Sequence, residues 1–251
     1  MASRGVVPLR FSRRACLLAG TTSLVLISAS SHALYRHGDL WPKSADGVTR
    51  ITVCFIKSGQ LTDAEDTRQR QLIQEVLAAT WNRWMKIEIS GFATCASPPA
   101  NGTLAITLWG TTGTGGAGDI PDQTYHPGKR GWHGSAQPNY GEFWLVGAGD
   151  RRARNVITHE FGHGLSFEHE QSRPDAQGLC TDGDDPLPAP GNPTPAVLVT
   201  SEYDDTGIMN YCSTIAYLSR LDVLGAQTLY DKSAAGQWLE ALPAISSLVL
   251  L

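Results

Sequence analysis

The order of its sequence patterns predicts an α+β domain in which strands and a long helix come first and loops follow. Val48 to Ile56 alternates apolar and polar residues, as a half-buried strand does. The next segment has apolar residues at helical spacing, and two further apolar runs have the length of strands. After a second helix near residue 160, proline, glycine and acidic residues predominate. This succession predicts a sheet packed against helices, with a loop-rich remainder.

The first long helix begins at a capping box. In Thr62-Asp63-Ala64-Glu65 the hydroxyl and carboxylate residues stand three apart, as a helix start requires. Helical spacing then continues to about Lys86. Its apolar stripe predicts packing against the sheet, and consists of Leu72, Ile73, Val76, Leu77, Trp81, Trp84 and Met85.

The later elements follow from similar patterns. Three apolar runs have strand length, and two segments have helical periodicity with a capping residue in front. The strands are Ile87 to Phe92, Leu104 to Trp109 and Gly141 to Val146; the helices are Asp150 to Leu165, with Asp150 as N-cap, and Leu218 to Tyr230, with Ser219 as N-cap. Residues 110–140 lack periodicity, and His126 and His133 there are predicted to be loop histidines rather than metal ligands.

Residues 1–33 have the composition of a secretory signal peptide. They contain four arginines and no acid, an apolar stretch from Ala15 to Ile27, and the small-residue cleavage site Ser31-His32-Ala33. An uncleaved anchor is the alternative, but the stretch is short for a stable membrane span. Its removal leaves 16 basic and 24 acidic residues, a net charge of −8. Because no basic patch remains, we expect no nucleic-acid partner.

The cysteines predict disulfides. Four remain after removal of the signal peptide, an even number in a chain that we expect to be secreted, periplasmic or extracellular. Three pairings of the four cysteines are possible. The chain has no closely spaced CxxC pair, so a metal site made of cysteines is not indicated. We expect Cys54–Cys95 and Cys180–Cys212, since the second bridge would join the segments after His169 and Tyr211.

One stretch carries the candidate chemistry: His159-Glu160-Phe161-Gly162-His163, followed six residues later by His169. Residues four apart on a helix share a face, so His159 and His163 can bind one metal ion. His169 can join them only if the helix ends after His163, since a continued helix would carry it about 80° away. Three histidines and an open position form a catalytic zinc site. Glu160 can then act as general base towards a zinc-activated water.

This stretch resembles the zinc motif of the astacin-type metzincins. In that family Glu, Arg and Asp follow the third histidine, as in His169 to Asp175 here, and Gly207-Ile208-Met209-Asn210-Tyr211 resembles the family's Met-turn. The family usually has glycine where Ser166 stands, because the turn favours a positive φ. The resemblance implies a metzincin-type fold, with a twisted, mostly parallel sheet, long helices and a loop-rich lower half beyond a cleft.

The resemblance also implies roles for individual residues. Zinc is the expected cofactor, held by His159, His163 and His169. Met209 would form a hydrophobic floor beneath it, and Tyr211 would be a fifth ligand or a donor to the oxyanion. Glu170 in the family reaches the mature N-terminus.

These features predict an exported zinc endopeptidase that acts on proteins or peptides. We expect a signal peptide at 1–33, an entry segment at 34–48, a catalytic domain at 49–232 and a tail at 233–251. A catalytically silent zinc-binding interaction module is the alternative, which the presence of Glu160 disfavours. Another is a protease whose third ligand is a downstream glutamate, for which only Glu202 and Glu240 are suitable. The oligomeric state stays open.

Overall fold

A computed structural model describes residues 34–36, 40–58, 61–110, 139–143, 145, 149–173, 176, 180, 197–199, 203–213 and 215–239. Several predictions concern positions outside these ranges. They are the signal peptide, the loop histidines His126 and His133, and the alternative ligands Glu202 and Glu240.

The domain contains a four-stranded sheet. It consists of β2 (Thr49–Lys57), β3 (Ile87–Thr94), β4 (Leu104–Leu108) and β5 (Asn139–Phe143), in the order β3-β2-β4-β5. Each neighbouring pair of these strands runs parallel. The alternation in β2 buries Ile51, Val53 and Phe55 in the core, as the sequence pattern requires. The predicted α+β fold with a mostly parallel sheet is therefore confirmed.

Helix α1 (Asp63–Ala79) begins as predicted but ends earlier. The Thr62 hydroxyl accepts a hydrogen bond from the amide of Glu65, so the first half of the capping box is present. The predicted continuation to Lys86 is wrong, because the chain breaks at Thr80 before a short helix α2 (Trp81–Trp84). The Thr80 hydroxyl bonds back to the carbonyl of Val76, a contact that competes with helix propagation. After the break, the buried indole of Trp81 donates to the carbonyl of Thr158.

Some small elements were not predicted from the sequence. Strand β1 (Tyr35–Arg36) pairs antiparallel with β6 (Val197–Leu198), so the entry segment joins a segment far along the chain. Helix α5 (Ala234–Leu239) lies at the start of the predicted tail. Its Gly236 packs so closely on α2 that a Cβ atom there would lie 2.2 Å from the carbonyl oxygen of Trp84.

Helix α4 (Arg220–Tyr230) has the predicted N-cap. The Ser219 hydroxyl accepts from the amide of Asp222, and the Asp222 carboxylate accepts from the amide of Ser219, which completes a capping box. No helix in the described part of the chain is long and apolar enough to cross a membrane.

Both predicted disulfides are confirmed. Cys54–Cys95 links β2 to the residue that follows β3, and Cys180–Cys212 links a residue beyond the third histidine to the residue after Tyr211. The second bridge therefore joins the segments that follow His169 and Met209.

Candidate metal centre

Helix α3 (Asp150–Gly164) carries the first two histidines on its buried face. Its N-cap is Gly149 rather than the predicted Asp150. Asp150 is instead the first helical residue, and its carboxylate accepts a hydrogen bond from Arg154 one turn later at 3.0 Å. This position suits an acid, because the positive end of the helix dipole is there.

The helix ends where the sequence required. Ser166 adopts a left-handed conformation with φ of 74°, and the amide of Phe167 reaches back to the carbonyl of Gly162 at 2.9 Å. Such a reversal satisfies carbonyls that the helix end leaves open. The chain therefore turns back towards His163, as the third-ligand prediction demands.

Side chains from three distant segments hold this reversal. The Trp41 indole donates to the carbonyl of Gly164 at 2.7 Å, and the Tyr230 hydroxyl donates to the carbonyl of Leu165 at 2.9 Å. The Phe167 ring stacks on Trp81 with centroids 5.7 Å apart. The entry segment, α2 and α4 thus all support the turn that delivers His169.

The three histidines converge in the interior. One ligand nitrogen from each of His159, His163 and His169 lies within 4.8 Å of the others, and all three side chains are buried. The Nε2 atoms of His163 and His169 are 3.0 Å apart. Ligands of one tetrahedral zinc ion, with bonds of about 2.0–2.1 Å, stand roughly 3.3 Å apart.

Hydrogen bonds select the tautomer that a metal needs. The Nδ1 atom of His159 is 2.8 Å from the carbonyl of Ile208, and that of His163 is 2.7 Å from the carbonyl of Phe167. Because a carbonyl can only accept, each Nδ1 carries the proton and each Nε2 presents a lone pair in the neutral ring. The His159 Nε2 atom is buried without a hydrogen-bond partner in the described structure. The three-histidine centre fits zinc.

The three histidines of the motif that resembles the astacin-type metzincins converge at this centre. Solved structures with a similar fold include a hatching enzyme zinc-protease, high choriolytic enzyme 1 from the medaka fish Oryzias latipes. It has 18% identity and a TM-score of 0.46, over 76% of this chain and 94% of that one. A structure of myroilysin has 18% identity and a TM-score of 0.47, over 77% of this chain and 96% of that one. No protein-family model and no curated relative matches the chain.

Met209 lies against the helix that bears the first two histidines. Its side chain is fully buried, and a Cβ atom at Gly162 would come within 2.3 Å of its sulfur. Gly162 stands between His159 and His163, so only a residue without a side chain lets the sulfur approach the backbone there. The role of Met209 as a hydrophobic floor beneath the metal stays a prediction.

A hydrogen-bond path ties α4 to the first histidine. The Asp222 carboxylate accepts from the amide of Ile208 at 2.8 Å, and the carbonyl of Ile208 accepts from His159 Nδ1 at 2.8 Å. Removal from water raises the pKa of the Asp222 carboxyl well above its ordinary value, and the neighbouring Asp204 carboxylate adds to the rise. The capping pattern predicted the start of α4 but gave no sign of this contact with the Met-turn.

A buried ion pair follows the third histidine directly in the chain. Glu170, next to His169, lies 3.4 Å from the guanidinium of Arg173, and both side chains are buried. The same carboxylate accepts from the amide of Asp204 at 3.0 Å. Glu170 therefore links the third-ligand turn to the chain that leads into the Met-turn.

The two predicted catalytic residues are both adjacent to ligand residues, one in the sequence and one in space. Glu160 is buried directly after His159 in α3. The Tyr211 ring is 46% exposed, and its centroid lies 4.2 Å from that of His169 and 5.5 Å from that of His159. The structure thus brings Tyr211 to the ligands from a position 42 residues beyond His169 in the chain.

Proposed function

We propose that this protein is an exported zinc endopeptidase with an astacin-like site. The observation that carries the proposal is the convergence of three buried histidines, with Glu160 on the helix between two of them. The two disulfides support a location outside the reducing cytosol, such as the periplasm or the extracellular space. The substrate class is protein or peptide.

His159, His163 and His169 would hold the zinc ion. Zinc in such a site supplies Lewis-acid polarisation of a carbonyl and lowers the pKa of water towards about 7. The carbonyls of Ile208 and Phe167 keep two of the imidazoles in the ligating tautomer before any metal arrives. This preorganisation reduces the cost of ordering the ligands on binding.

Glu160 is the proposed general base. Its carboxylate accepts a proton from the attacking water and then delivers that proton to the nitrogen of the departing amine. Its burial beside His159 suits this role, because a proton acceptor must be close to the reacting atoms and shielded from bulk water.

Tyr211 is the proposed donor to the carbonyl oxygen as negative charge develops there. Its ring stands over two of the ligating histidines and is half exposed, so its hydroxyl can meet a substrate that enters from solvent. A donor that acts mainly in the transition state raises kcat without tightening substrate binding.

Glu160→Ala tests the proposal. We expect the zinc-loaded parent to cleave a casein-like substrate and to lose this activity on chelation of the metal. The variant should retain one zinc per chain but lose about 10²–10⁴-fold in kcat, because proton transfer by a positioned side chain contributes that much. Glu88→Ala, which removes a half-exposed carboxylate paired with Arg50 on the sheet, is the matched control and should retain parental kcat.

Metal content measured on the same preparations completes the test. His169→Ala should bind zinc far more weakly at neutral pH, since only two nitrogen ligands would remain. If the zinc-loaded parent cleaves no peptide although it folds and binds one metal ion, the silent zinc-binding module becomes the correct interpretation. Undiminished cleavage by Glu160→Ala would exclude this carboxylate as the base.

A further inference from the structure

Two contacts join the segment of the third histidine to the segment of Tyr211. The amide of Glu170 donates to the carbonyl of Met209 at 2.8 Å. Next to this bond, the amide of Tyr211 donates to the side-chain oxygen of Gln171 at 3.2 Å. The first contact is between backbones and is available to almost any sequence. The second depends on the glutamine side chain.

Gln171 can fix Tyr211 relative to the third ligand, because it lies only two residues after His169. It lies in the middle of a 3₁₀ turn, Glu170–Ser172, that begins directly after His169. The turn is closed by the amide of Ser172, which donates to the carbonyl of His169 at 3.0 Å. A side chain on such a short turn keeps a nearly fixed relation to the histidine that precedes it.

The orientation of the Gln171 amide is determined by its surroundings. Its Oε1 atom must face Tyr211, because the amide hydrogen of Tyr211 needs an acceptor. Its Nε2 atom is buried and has no hydrogen-bond partner in the described structure. Within the described residues, the contact with Tyr211 is therefore the polar contact that sets this side chain.

The side chain of Tyr211 is only partly packed. Its ring is 46% exposed, so burial alone does not hold it near the histidines. On its other side, the amide of Cys212 donates to the Asn210 side chain at 3.0 Å, and Cys212 is fixed by its disulfide. The Gln171 contact thus acts on the main chain of the tyrosine itself.

We propose that Gln171 is a positioning residue for the reaction: it holds the main chain of Tyr211 beside His169, so that the phenol meets the carbonyl oxygen in the transition state. The inference rests on the proposed peptidase function and on the proposed role of Tyr211. It assigns to Gln171 no contact with substrate or metal. Its loss should therefore lower kcat, leave KM almost unchanged and leave zinc bound.

Hydrogen exchange tests the contact independently of activity. In the zinc-loaded protein, Gln171→Met should lower the protection of the Tyr211 amide about three- to tenfold, the effect of losing one hydrogen bond. Gln171→Glu keeps an acceptor at the same place and should retain most of the protection. The amide of Ile208, which donates to Asp222, should be unchanged in both variants. Parental protection of Tyr211 in Gln171→Met would overturn the proposal.

A double-mutant cycle tests the consequence for the reaction. Gln171→Met should lower kcat about three- to tenfold in the parent, and have little further effect in a Tyr211→Phe background. Gln171→Glu, which keeps an acceptor oxygen, should retain most of the parental kcat. Gln74→Met, the same change on the exposed face of α1, is the control and should retain parental kcat.

The outcomes separate the two levels of inference. If Gln171→Met lowered kcat by the same factor in the parent and in Tyr211→Phe, Gln171 would support only the general fold. The inference would then be wrong, while the proposed peptidase function would be unaffected. A zinc-loaded parent that cleaves no peptide would refute the proposed function, and the inference about catalysis with it.

Discussion

At the scale of single residues, the turn after α3 depends on a serine in a conformation that favours glycine. Ser166 has φ of 74° and is completely buried. A left-handed conformation brings the Cβ atom of an L-residue close to the following carbonyl and costs about 1–2 kcal/mol. The position matters because the reversal at Ser166 delivers His169 to the other two histidines.

Two substitutions isolate this backbone cost. Ser166→Ala and Ser166→Gly both remove the hydroxyl, but only glycine removes the Cβ atom. We expect Ser166→Gly to be more stable than Ser166→Ala by about 1 kcal/mol, despite the greater freedom of glycine in the unfolded chain. Urea unfolding of the metal-free proteins measures the difference. An alanine variant at least as stable as the glycine variant would show that the turn does not require a positive φ.

At the scale of elements, α4 controls the Met-turn through one carboxylate. Asp222 accepts from the amides of Ser219 and Ile208, each at 2.8 Å, so one side chain both caps its own helix and holds the turn. Through the Ile208 carbonyl the contact continues to His159. Partners of metal ligands fix ring orientation, and their loss typically costs 10–100-fold in affinity.

Asp222→Ala should therefore weaken both the fold and the metal centre. We expect a loss of about 2–4 kcal/mol in unfolding free energy, because two buried amides lose their acceptor. Zinc affinity, measured by competition with a chromophoric chelator, should fall about tenfold. Asp222→Asn keeps an acceptor oxygen and should retain most of both properties. Zinc binding by Asp222→Ala as tight as that of the parent would show that α4 does not orient His159.

The difference in stability between the parent and Asp222→Asn should depend on pH. Burial raises the pKa of the Asp222 carboxyl in the folded state, so folding favours its protonated form. Its contribution to stability is complete below its unfolded pKa of about 3.9 and is lost as the pH rises towards the folded value. Asparagine does not titrate. The stability of Asp222→Asn relative to the metal-free parent should therefore increase as the pH rises above about 4.

Local patterns predicted the elements, whereas contacts between distant segments decided the exceptions. The helix of the first two histidines and its end could be predicted because residue spacing and a required reversal fix them. The break at Thr80 could not, since it depends on where Trp81 meets α3. Strand β1 was missed because its partner lies about 160 residues away.

The candidate site shows the same division. The three histidines and Glu160 stand within eleven consecutive residues, and their spacing has a recognisable chemistry. Gln171 contacts Tyr211 across 40 positions through a single side-chain oxygen. No spacing rule identifies such a pair, and the resemblance marked only the tyrosine.

At the scale of the whole molecule, the two disulfides close loops of similar size in different places. Cys54–Cys95 spans 41 residues within the sheet, and Cys180–Cys212 spans 32 residues beside the metal centre. On the chain-entropy model, loops of these lengths each contribute about 4 kcal/mol to stability. The two bridges should therefore contribute similarly to the stability of the protein but differ in their effect on catalysis.

Replacement of each pair by serine tests this difference. Both double variants should lose about 4 kcal/mol of unfolding free energy in urea. Cys54→Ser with Cys95→Ser should keep parental kcat well below its melting temperature, because that bridge joins β2 to the end of β3, and neither strand carries a proposed site residue. Cys180→Ser with Cys212→Ser should also lower kcat, because Tyr211 directly precedes Cys212 and its main chain loses this covalent anchor. Equal kcat values in the two double variants would show that the second bridge stabilises the fold without positioning the tyrosine.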